Sequence, residues 1–122
     1  MSSTLPHQII IVDSHPSAQR ALSQFIQSQT DFVVSNICTD WQTLLTGDSN
    51  LHPGIILLDW ESPGIGRAAL SRIRAALAHV TIIAMGVWQA SRRSALAAGA
   101  DGFINKTDAP EQVLAVLRRV GQ

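Results

Sequence analysis

The chain is predicted to fold as α/β, a doubly wound sandwich around a five-stranded parallel sheet. Three observations carry that reading. Five short apolar runs are spaced along the chain, each run is continuous where a half-exposed strand would alternate, and segments with helical spacing separate them. Continuous apolar runs are what strands buried on both faces require, and sheets covered on both faces are mostly parallel.

Ile9-Ile10-Ile11-Val12 is the first run and ends at Asp13. Pro16 then suits a first helical turn, and Ala18, Ala21, Leu22, Phe25 and Ile26 form one apolar stripe behind it. Phe32-Val33-Val34 continues to Ile37-Cys38 as the second run. A short helix is expected over Trp41 to Leu45, followed by the turn-rich string Gly47-Asp48-Ser49-Asn50. The third run, Ile55-Ile56-Leu57-Leu58, ends at Asp59, and Ala69, Leu70, Ile73 and Leu77 make the next helical stripe. Val80 to Met85 is the fourth run. Gly99 falls where the following helix should stop, in the role of a left-handed cap. Gly102-Phe103-Ile104 is the fifth run. The last helix opens on Asp108-Ala109-Pro110-Glu111, which has the spacing of a capping box, and carries the stripe Val113, Leu114, Leu117 and Val120. Strand followed by helix five times, with short links, implies right-handed crossovers.

The 122 residues suffice for one domain, expected to span 1–122 with a core over about 7–120. Nine basic and nine acidic side chains cancel, so the charge advertises neither direct nucleic acid binding nor an acidic membrane surface. Arg92-Arg93 and Arg118-Arg119, the basic pairs, read as solvated helix faces. The single cysteine, Cys38, cannot form an internal disulfide and reads as a small core residue at a strand end, which suits a reducing compartment. Met1 to Gln8 is polar, and the apolar run after it is too short for a signal peptide or a membrane span. A soluble cytoplasmic protein is the expectation.

In an open parallel sheet, ligands bind beyond the carboxyl ends of the strands, where the strand order reverses. Asp13 and Asp59 each close an apolar run, and Lys106, the only lysine, follows the fifth. All three should stand on that rim. Two carboxylates and one ammonium there would suit a divalent cation and a phosphoryl group. Asp13 taken alone reads equally as a cap for the helix at Pro16. His15 reads as a loop or capping residue and not a ligand, since no second His or Cys lies at metal-ligand spacing.

These residues also carry a family resemblance over essentially the whole chain. Val12-Asp13-Ser14-His15-Pro16 resembles the acidic loop after the first strand of bacterial response regulator receiver domains, closest to the NarL/LuxR type. Leu58-Asp59-Trp60-Glu61-Ser62-Pro63 is similar to the phosphoacceptor strand and its loop, and Gly99 to Lys106 to the segment leading into the phosphate-contacting lysine. The resemblance implies a CheY-like (flavodoxin-like) sheet in the order 2-1-3-4-5. It implies Asp59 as acceptor of a phosphoryl group from a sensor histidine kinase, with Lys106 contacting that group. Mg²⁺ would be held by Asp13, Asp59, the backbone carbonyl of Glu61 and, weakly, Ser14. A receiver is a signalling domain, at most catalysing its own phosphotransfer and dephosphorylation. No output domain is visible in this chain; a C-terminal DNA-binding domain in a longer parent protein, or a homodimer, would fit the family type.

Three positions depart from the family pattern. Ser14 stands where a second acidic metal ligand is usual, so Mg²⁺ should bind weakly. The fourth strand should end in Thr or Ser, but counting back from Gly99 and Lys106 without gaps places Ala84 at this switch position, or Met85 in another register; Phe103 fills the partnering aromatic position. Glu61 adds an acidic side chain that either restores a third carboxylate to the pocket, partly compensating for Ser14, or points to solvent. Ser14 and Ala84 favour an alternative reading, a degenerate pseudo-receiver that works as a phosphorylation-independent protein-interaction module. A flavin- or nucleotide-binding protein would need a Gly- or Ser/Thr-rich phosphate loop, and Ser14-His15-Pro16-Ser17 is a poor one.

Overall fold

The computed structural model describes residues 5–46 and 53–121, so the string Gly47–Asn50 lies outside the described residues. Among the described residues, strands β1 (His7–Val12), β2 (Phe32–Cys38), β3 (Ile55–Asp59), β4 (Thr81–Gly86) and β5 (Gly102–Asn105) alternate with helices. These are α1 (Pro16–Gln27), α2 (Trp41–Thr46), α3 (Arg67–Ala76), α4 (Gln89–Ala98) and α5 (Pro110–Val120). Every neighbouring pair of strands is parallel, in the order β2-β1-β3-β4-β5. The predicted fold and strand order are both present.

The continuous apolar runs have a direct structural reason. Alternate residues of β1, β3 and β4 feed two separate cores, Ile10, Ile56, Leu58 and Ile82 on one face, Ile9, Ile11, Ile55, Leu57 and Ile83 on the other. All nine are fully buried. β2 differs because it lies at the sheet edge, where Val33 and Ile37 remain exposed. Its register against β1 slips between Ile9 and Ile10, so that Ile9 faces Val34 while Ile10 faces Asn36. Cys38 ends β2 and is buried; burial first, and the Asp40 carboxylate second, push its thiol pKa up, which suits an inert core residue.

Helix boundaries follow local chemistry. Pro16 and Pro110 take the first helical positions of α1 and α5. This corrects the capping-box reading of Asp108: with Pro110 inside the helix the N-cap falls on Ala109, and no side chain caps it. Glu111 remains in the first turn, where the helix dipole favours a carboxylate. Arg92, Arg93, Arg118 and Arg119 are exposed, as expected, but Arg118 also forks onto Asp31 at 2.9 and 3.1 Å. No helix among the described residues is long and apolar enough to cross a membrane.

Gly99 ends α4 with φ 107°, the left-handed conformation in which a side chain is strained, and Arg74 donates to its carbonyl at 2.8 Å. A methyl group there would meet only Leu70 Cδ2, at an ordinary 3.5 Å, so the cost of substitution is conformational. Gly99→Ala should therefore lower the unfolding free energy by about 1–2 kcal/mol, measured by urea denaturation.

Candidate functional site

β1 and β3 are neighbours, yet the connections leaving them run to opposite sides of the sheet, which opens a crevice at their carboxyl ends. Asp13 follows β1 directly, and its N–H donates to the Cys38 carbonyl at 3.0 Å, continuing the ladder by one residue. Asp59 is the last residue of β3. Lys106 follows β5, held by its own N–H on the Gly86 carbonyl at 3.0 Å. The side chains meet as the sequence suggests. Lys106 Nζ lies 2.9 Å from Asp13 Oδ2 and 3.3 Å from Asp59 Oδ2, and both carboxylates are 1% exposed.

Burial opposes ionisation of Asp13, but hydrogen bonds from Lys106 and the His15 N–H outweigh it and hold its pKa below the ordinary carboxylate value. Burial likewise opposes the charge on Lys106, and the two carboxylates outweigh it, leaving its pKa raised. The pocket is thus two carboxylates around one ammonium, largely withdrawn from water.

Two groups had no functional role in the sequence reading. The Ser62 hydroxyl donates to Asp59 Oδ2 at 2.7 Å, and lies 3.4 Å from the exposed Ser14 hydroxyl at the pocket mouth. His15 occupies the N-cap position of α1, but its side chain makes no capping bond. Its Nδ1 turns inward, 3.1 Å from Asp13 Oδ1 and 3.7 Å from Asp59 Oδ2, while its backbone N–H donates to Asp13 Oδ1 at 2.9 Å. The expectation of a loop or capping residue rests on the lack of His or Cys partners at ligand spacing, and it agrees with the N-cap position; the partners the fold supplies to the ring are carboxylates.

At the end of β4 the structure corrects the counted position. The strand continues to Gly86, and Ala84 lies two residues earlier, fully buried beside Phe103 in the core. The ladder fixes this: Trp60 N–H donates to the Met85 carbonyl at 2.8 Å, and Lys106 N–H to that of Gly86. The strand-end residue therefore has no side chain. Nor does Glu61 add a carboxylate beside Asp13 and Asp59. It reaches across to the β4–α4 loop, where Oε2 accepts the N–H groups of Val87 at 2.8 Å and Trp88 at 3.0 Å. Those bonds, a further one from Ser91 and the charge of Lys106 outweigh burial and lower its pKa.

The donor set fits a divalent cation. One ligand atom from each of Asp13, His15 and Asp59 can be chosen so that all lie within 4.8 Å of one another. Two carboxylates suit a hard cation, and an imidazole nitrogen adds affinity for a transition metal. Lys106 occupies part of the same space as a competing positive charge.

A doubly wound sheet with two buried carboxylates and a lysine at its switch point defines the CheY-like class of α/β signalling domain. The chain belongs to the response regulator receiver domain family, whose model matches residues 9–118. The nitrate/nitrite response regulator NarL of Escherichia coli strain K12 is 27% identical over 98% of this chain and 56% of its own length. The transcriptional activator ExaE of Pseudomonas putida is 30% identical over 92% of this chain and 54% of its own. The chain thus spans little more than half of these relatives. Among solved structures, a LuxR-family regulator from Aurantimonas sp. SI85-9A1 superposes with a TM-score of 0.84 at 23% identity, covering 95% of this chain and 85% of that one. The receiver domain of sensor histidine kinase PA1611 from Pseudomonas aeruginosa PAO1, solved with magnesium in its active-site cleft, gives 0.80 at 23%, covering 95% of this chain and 98% of that one.

Lys106→Met would leave two buried carboxylates facing each other. At neutral pH the loss of stability should be about 3 kcal/mol, the lower end for breaking one side of a buried pair, because Lys106 keeps 22% of its side chain exposed. In the variant the hydrogen bond and charge of Lys106 no longer offset burial at Asp13, so its folded pKa should rise relative to that of the parent. A raised acid recovers stability as it is protonated, so the deficit should shrink as pH falls toward 4, about the carboxylates' own range. Denaturation of both proteins across that range checks it.

Proposed function

We propose that this receiver domain accepts a phosphoryl group on Asp59 from the phosphohistidine of a sensor kinase and relays that event to a further domain or partner. The observation that carries the reading is the Asp59 carboxylate at a strand end, with an ammonium 3.3 Å from its Oδ2 and a hydroxyl 2.7 Å from the same atom. An Asp59 oxygen attacks phosphorus, the bond to the donor's imidazole nitrogen breaks, and that nitrogen keeps the electron pair. Such transfers need positioning and charge neutralisation more than covalent chemistry. Lys106 neutralises developing negative charge on the phosphoryl oxygens, and burial strengthens that attraction.

A divalent cation, when bound, supplies further positive charge to the same oxygens. Asp13 and Asp59 would hold it, with the Glu61 backbone carbonyl, the Ser14 hydroxyl as a weak substitute for an acid, and His15 Nδ1. The magnesium in the active-site cleft of the PA1611 receiver supports a cation in this crevice. With one carboxylate fewer than the usual set, Mg²⁺ should bind weakly, while the imidazole should favour Mn²⁺. His15→Ala should weaken Mn²⁺ roughly tenfold and leave Mg²⁺ little changed, read by electron paramagnetic resonance of free Mn²⁺ with Mg²⁺ as competitor.

The relatives' lengths and the description of a LuxR-family neighbour from Staphylococcus aureus as a DNA-binding response regulator support an output domain that binds DNA in a longer parent protein. In that arrangement 1–122 is the receiver, works in the cytoplasm, does not itself touch DNA, and can pair with a second copy.

Incubation with a small phosphodonor and Mg²⁺ or Mn²⁺ should add the mass of one phosphoryl group to the intact protein, and Asp59→Asn should abolish the gain. An unchanged parent mass, or equal labelling of the variant, would overturn the assignment.

A further inference from the structure

The β4–α4 loop holds a feature that accepting a phosphoryl group on Asp59 does not require. Val87 and Trp88 present adjacent backbone N–H groups at the start of α4, where such groups lack helical partners and the helix dipole is positive. The N-cap side chain, Trp88, supplies no cap. Glu61 supplies it from another loop, with one oxygen taking both N–H groups. Room for this comes from Gly86: a Cβ there would stand 2.5 Å from Glu61 Oε2 and 2.9 Å from its carboxyl carbon. The pair is complementary. One residue gives up its side chain and another fills the space with an anion.

We infer that Glu61 is a built-in anion that seats on the β4–α4 loop and holds it against the β3–α3 loop whether or not any group occupies Asp59. The carboxylate does for that loop what an arriving anion would otherwise have to do, and it is already in place. The loop carries Trp88, 67% exposed, beside Val87, 39% exposed. The position of that apolar surface is therefore set by Glu61 from within the chain. An anion reaching these N–H groups from Asp59 would first have to displace a like charge.

The test is amide hydrogen exchange on the unphosphorylated, metal-free protein, so its failure leaves the acceptor role of Asp59 untouched. In Glu61→Ala the Val87 and Trp88 amides should exchange roughly tenfold faster or more, having lost a charged acceptor. Gly86→Ala should do the same by a different route, since its methyl group expels the carboxylate. The Trp60 and Asp101 amides, which donate to the Met85 and Ile82 carbonyls, should keep the parent's rates in both variants. Parent-like exchange at Val87 and Trp88 in either variant, or acceleration of all four amides together, would overturn the inference.

Discussion

The carboxyl edge of the sheet is organised around the ammonium of Lys106, which stands 2.9 Å from Asp13 Oδ2 and 3.3 Å from Asp59 Oδ2. Without it, two carboxylates 1% exposed would face each other across the crevice. Like charges about 4 Å apart repel by roughly 4 kcal/mol at an effective dielectric constant of 20. The ammonium removes that penalty, and its attraction to both anions offsets the cost of burying all three groups. The same charge balance makes the pocket receptive. In the proposed function an incoming phosphoryl group would meet a fixed positive charge, and an incoming cation two buried carboxylates.

The sheet order delivers this arrangement. β1 and β3 must be adjacent for Asp13 and Asp59 to share a cation, while β5 lies two strands from β3, across β4. Lys106 must therefore bridge over the end of β4, and Gly86 leaves that passage free of a side chain. Glu61 uses part of the same space from the β3 side. Trp60, buried below, donates its indole N–H to Ser94 at 3.1 Å and ties the β3–α3 loop to α4. Two links therefore leave the Asp59 loop, Glu61 to the β4–α4 loop and Trp60 to the fourth helix.

Much of this was legible in the sequence because burial on both faces leaves a mark that amphipathic strands do not. Ile9–Val12 and Ile55–Leu58 read as strands buried on both faces, and each run leads into the carboxylate that is part of the site. The positions that escaped share a physical cause. Counting back to Ala84 assumes a fixed length for everything between β4 and Gly99, whereas the strand's end is set by backbone bonds to Trp60 and Lys106. Side-chain direction is likewise absent from sequence. His15 could turn in or out, and only the fold decides that its Nδ1 faces Asp13 and Asp59. Glu61 had an acidic pocket on one side and two unpaired N–H groups on the other, and it took the latter. Ser62 stood within the phosphoacceptor string, but a hydroxyl three residues after a carboxylate is too common a pattern to single out.

The bridging ammonium can be observed without interference, since Lys106 is the only lysine in the chain. Selective ¹⁵N labelling of lysine side chains gives one resonance to follow. If Lys106 spans the two buried carboxylates, that signal should persist against solvent exchange at neutral pH, titrate above the ordinary lysine value, and shift on Asp13→Asn and again on Asp59→Asn. A signal lost to rapid exchange, titrating like a free lysine and indifferent to both substitutions, would contradict the account.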